Sequence, residues 1–92
     1  MIFPTIHSNG TSPEMLRDGY LSAREACLEA ERRLFALEFN ARDYYPQGAD
    51  KWAQARDEYA ARLAKIHSVS DELYEIAARC QDAIDAREAQ RR

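Results

Sequence analysis

The chain has 92 residues, of which 46% are hydrophobic and 32% charged, with only 3 Gly and 3 Pro. A chain of this length supports one thin core and leaves little room for a deep substrate cleft. The 13 Lys and Arg against 16 Asp and Glu give a formal net charge of −3; both signs are interspersed, which argues against the basic face of a general nucleic-acid binder.

Residues 1–11 read as an irregular, extended arm. Met1-Ile2-Phe3-Pro4 lacks the basic start and apolar run of a secretory signal, and no apolar run approaches the ~20 residues needed to span a bilayer. A cytoplasmic protein without membrane contact is expected. Asn9-Gly10 marks a tight turn, and the stretch Ser8 to Ser12 serves to deliver Ser12 to a helix start.

A first helix is expected over 12–40. Ser12 is suited to cap free backbone N–H groups, and Pro13 to the first helical position, where its missing N–H costs nothing. Leu16, Tyr20, Ala23, Cys27, Ala30, Leu34, Leu37 and Ala41 alternate at four and three residues, the seam of a helix packed along a near-antiparallel partner. Gly19 reads either as a tight contact or as simple tolerance.

A loop over 41–49 contains Arg42-Asp43-Tyr44-Tyr45-Pro46-Gln47-Gly48. Pro46 presets one backbone angle and Gly48 permits a positive one. Arg42 and Asp43 are expected to tie the turn together. Two adjacent tyrosines cannot both enter one narrow hairpin end. One of Tyr44 and Tyr45 caps the core beside Trp52; the other is a candidate anchor of the kind enriched at binding hot spots. Arg42, Tyr44, Tyr45 and Gln47 are the candidate partner-binding residues.

A second helix is expected over 50–91, with Asp50 as its cap. Its seam runs Trp52, Arg56, Tyr59, Leu63, Ile66, Ser70, Leu73, Ala77, Cys80 and Ile84. Ser68-Val69-Ser70-Asp71-Glu72 resembles a helix start, so a break near 68–70 is an alternative to one continuous helix. Glu29 with Arg33, Glu58 with Arg62, Glu75 with Arg79 and Glu88 with Arg92 are acid-before-base pairs one turn apart.

The expected fold is all-α: a single domain over 1–92, built as a long antiparallel, coiled-coil-like helical hairpin with an N-terminal arm. Folding back about the loop puts Leu34 near Asp57 and Cys27 near Lys65. The second helix, ~60 Å against ~42 Å, then overhangs at Cys80 and Ile84, where Ile2, Phe3 and Ile6 of the arm are available to cover it. A two-helix hairpin buries one stripe per helix, so dimerisation into a four-helix bundle is the expected remedy.

No catalytic constellation is legible: the chain has no Gly-rich phosphate loop, nucleophile elbow or Cys or Ser with a base at a recognisable spacing. Cys27 and Cys80 form no C-x-x-C pair and fall on seam positions, where free Cys acts as a small hydrophobe. His7 and His67 lack paired ligand spacing, and Asp71, Glu72 and Glu75 read as a solvated face, so no metal and no cofactor are expected. Arg87, Arg91 and Arg92 read as a basic tail, not a nucleic-acid site.

At Ile6-His7-Ser8-Asn9-Gly10-Thr11-Ser12 and at Arg42-Asp43-Tyr44-Tyr45-Pro46-Gln47-Gly48 the chain resembles a group of small helical proteins encoded by tailed bacteriophages and prophages of proteobacteria. The resemblance implies a bacterial host cell as the setting and transfers no site. Two functions are expected to compete: a non-enzymatic interaction protein that binds and modulates a host or phage protein, and a structural or oligomerisation module with no regulatory target.

Overall fold

The structure, a computed structural model, describes residues 1–91. Two α-helices, α1 (Pro13–Phe35) and α2 (Ala49–Gln90), are joined by two short 3-10 turns, Ala41–Asp43 and Tyr45–Gln47. They pack as an antiparallel hairpin measuring 67 × 22 × 21 Å.

Ser12 and Pro13 start α1 through local chemistry. Ser12 Oγ accepts a hydrogen bond from the Met15 N–H at 3.1 Å, and buried Pro13 takes the first helical position. Glu14 sits in the first turn and Arg32 and Arg33 in the last, each favourable to the helix dipole. The Cβ direction of Gly19 faces open space, so this glycine is tolerated and marks no close approach within the hairpin.

The helix stops at Phe35, well short of the expected Asn40. Continuing it would carry Phe39 away from α2. Instead the chain turns, and the Phe39 ring stacks on Tyr59 with centroids 4.5 Å apart and lies 5.1 Å from Trp52. The Tyr59 hydroxyl donates to the Leu34 carbonyl at 2.6 Å, serving one of the carbonyls that every helix end leaves free. Burying aromatic area outweighs a few more residues of helix, and Leu37, a seam residue by spacing, is left 57% exposed.

The connection therefore covers 36–48, not 41–49. Gly48 adopts φ 111°, ψ 153°, a region open to glycine alone at acceptable cost, and it occupies the cap position of α2. Asp50 lies in the first turn and caps nothing with its side chain. From there α2 is continuous through Ser68–Ser70, where Ser70 is buried against α1.

The register also differs from the sequence expectation. Leu34 faces Tyr59, Glu31 faces His67, Arg17 faces Gln81 and Glu14 pairs with Arg87. Cys80 and Ile84 thus lie alongside the first turns of α1, not beyond them. The overhang of α2 is at the loop end, where its first ten or so residues are covered by the connection.

The core is small: Pro13, Ser70, Ala77, Cys80 and Ile84 are the buried residues among those described. Three of them cluster where the arm folds back along α2. Phe3 and Pro4 are half-buried there, and the Arg79 guanidinium lies over the Phe3 ring at 4.3 Å. Ile2, by contrast, is 93% exposed and covers nothing. The arm is held in shape by a turn in which the Gly10 N–H donates to the His7 carbonyl at 3.1 Å, with the His7 ring against Gly10.

Of the acid-before-base pairs, Glu29–Arg33 closes to 3.1 Å and Glu58–Arg62 to 3.9 Å. Arg79 is turned toward Phe3, away from Glu75. The Glu88–Arg92 pair lies outside the described residues.

Candidate functional site

The loop end is built on a four-ring cluster. Tyr44 meets Phe39 edge-on at 5.6 Å and Trp52 at 5.8 Å, while Phe39 bridges Trp52 and Tyr59. Aromatic pairs in such geometries each contribute roughly 0.5–1.5 kcal/mol beyond area burial. Between the rings, the Asp43 and Tyr44 N–H groups donate to Asn40 and Ala41, and those of Gln47 and Gly48 to Tyr44 and Tyr45, all at 3.0–3.1 Å. These backbone bonds hold the turn, and the exposed Arg42 and Asp43 side chains do not tie it.

The two tyrosines divide the work. Tyr44 is half-buried in the cluster beside Trp52 and is part of the scaffold. Tyr45 is 61% exposed. Arg42 and Gln47 are exposed as well, and Gln47 lines a shallow groove with Tyr44, Lys51 and Glu58. The four candidate residues therefore share one end of the molecule, three facing solvent and one facing inward. Phe35, 77% exposed, and Leu37 belong to the same end; the heptad reading had placed Leu37 in the seam and passed over Phe35.

Along the hairpin the two sides differ. On one side a ladder of polar contacts recurs every seven residues on both helices. Arg17 Nη1 donates to Gln81 Oε1 at 2.9 Å, the Arg24 guanidinium lies 4.8 Å from the Tyr74 ring centroid, and His67 Nδ1 is 3.2 Å from Glu31. On the other side an open groove is lined by Ala26, Cys27, Ala30, Lys65, Ile66 and Val69, and a second hollow on the same side by Met15, Gly19, Ala23 and Leu73.

The ladder rotates α1. Arg24 and Glu31 are drawn to the interface and half-buried, leaving Ala23 and Ala30 exposed although spacing had placed them in the seam. Arg24 pays for this with a buried Nε that has no hydrogen-bond partner. Long basic side chains cover apolar surface with their stems, and the heptad recurrence of Arg17, Arg24 and Glu31 was the available signal.

Both cysteines are free; Cys80 is buried, which pushes its thiol pKa up, and Cys27 is half-buried in the open groove. Arg32 and Arg33 hydrogen-bond Glu29 and hold its carboxyl below the usual range, while Asp18 raises Arg17. Among the described residues no group of three His, Cys, Asp or Glu is placed to hold a metal ion, and no helix is long and apolar enough to cross a membrane. Comparison of the chain with protein-family models, with curated proteins and with solved structures found no match.

Proposed function

We propose that the protein is a non-enzymatic interaction module that docks onto a host or phage protein through its loop end and modulates that partner in the cytoplasm of a bacterial cell. The observation that carries this reading is Tyr45, 61% exposed on a turn whose neighbours Phe39, Tyr44 and Trp52 are locked together. A large ring presented on a rigid base binds with little ordering cost, which is why Tyr dominates binding hot spots. Exposed Phe35 and Leu37 add apolar area at the same end, and Arg42 and Gln47 supply polar contacts around it. The phage resemblance of the two short motifs supplies the setting.

The test is a photo-reactive phenylalanine analogue at position 45, with the same analogue at exposed Glu25 as control, in bacterial host cells. One discrete adduct with another protein from position 45 alone is the expected result. Equal labelling from both positions, or none from position 45, would sink the reading. Adducts only with further copies of this chain would instead favour an oligomerisation module, the second reading, which the unusual exposed area of the hairpin supports.

A further inference from the structure

We infer that the open groove between α1 and α2, on the side away from the polar ladder, is the seat of a second copy of this chain, related by a two-fold axis near Val69. The inference stands apart from whatever the loop end binds.

Area is the first argument. A folded chain of 10.6 kDa exposes about 5,500 Å² by the usual scaling of surface with mass, and this one exposes 6938 Å², about 1,500 Å² more. A stable dimer of ordinary size takes about 800 Å² from each partner. The excess is more than enough, and with five buried residues among those described the hairpin has little core of its own.

Charge decides between a second copy and a foreign helix. On α2, Lys65 stands one turn before Val69 and Glu72 just under one turn after it, all three exposed and on one face. A two-fold through Val69 reverses the direction of α2, so the lysine of each copy meets the glutamate of the other. The pattern is self-complementary, as a two-fold interface requires, and a partner running parallel in the same register would meet like charges. Lys65 lines the groove itself, and the rest of its lining, Ala26, Cys27, Ala30, Ile66 and Val69, carries no charge. Small side chains on α1 leave room for the approaching backbone. The arm meets α2 at Arg79, where Phe3 lies, and no arm residue lines the groove between Ala30 and Leu73, which stays free for the partner.

Sedimentation equilibrium over a concentration series tests this, with helicity followed by circular dichroism. Wild type is expected at twice 10.6 kDa, and Val69→Glu at the monomer mass with helicity kept. Lys65→Glu, a surface change that spares folding, is expected to weaken the dimer about tenfold or more, and Glu72→Lys added to it to restore most of that loss. Tyr45→Ala is expected to leave the mass unchanged. A wild-type monomer at every concentration overturns the inference. So does a dimer indifferent to both Val69→Glu and Lys65→Glu, or a mass that climbs past two chains.

Discussion

The two long sides of the hairpin carry the same backbone and different chemistry. One side is latched by Arg17–Gln81, Arg24–Tyr74 and Glu31–His67, directional contacts that are weak singly but fail together if α1 slides along α2. The other side has Ala26 and Ala30 against Ile66 and Val69, and Ala23 against Leu73, which offer area without direction. Register is thus specified on one side, and the opposite side is left free of any task within the single chain. At the arm end alone does the chain cover that second side itself, and there Ala77, Cys80 and Ile84 are buried.

The largest expected effect tests that covered stretch. Ile84→Ala should cost about 2–4 kcal/mol in denaturant unfolding, as for other buried aliphatic truncations. A loss below ~1 kcal/mol would mean the arm does not close this end.

Arg24→Ala removes the centre of the ladder and should cost about 1 kcal/mol through lost packing over Tyr74, partly offset by relief of its unpartnered Nε. An unchanged midpoint would show that the latch carries no register.

Gly19→Ala, on the open side, should gain about 0.5–1 kcal/mol, since the new methyl points into open space within the hairpin. A loss measured on the dimer would place the second copy's backbone against this residue.

The smallest effect concerns pH. Burial holds the Cys80 thiol protonated to higher pH than in the unfolded chain. Its contribution is whole below the unfolded thiol's pKa and fades as pH rises through the folded one. Wild type should therefore lose stability more steeply than Cys80→Ala as pH rises above about 8.5, the ordinary thiol range. Parallel curves would remove burial as the cause.

What the sequence made legible was local. Ser12 with Pro13 announced the helix start, the four-three spacing announced an antiparallel pair, and one of two adjacent tyrosines had to turn inward. The end of α1 was not legible, because it depends on Phe39 finding Tyr59 across the hairpin, a contact no window of neighbouring residues contains. The shifted register follows from that early stop. The rotation of α1 was missed because Arg24 and Glu31 read as surface residues by type, and only their partners Tyr74 and His67 draw them in. Which tyrosine faces out depends on the phase of two 3-10 turns, again set by the ring cluster.

The partners along the hairpin lie steadily further apart in sequence, 25 residues for Tyr59 and Leu34, 36 for His67 and Glu31, 64 for Arg17 and Gln81, and 73 for Arg87 and Glu14. Each contact made shortens the loop the next must close, so the entropic cost is met in small steps from the aromatic end. The molecule is built to zip, and mutational kinetics should find Phe39→Leu slowing folding while Ile84→Val mainly speeds unfolding, the reverse assignment counting against a zipper.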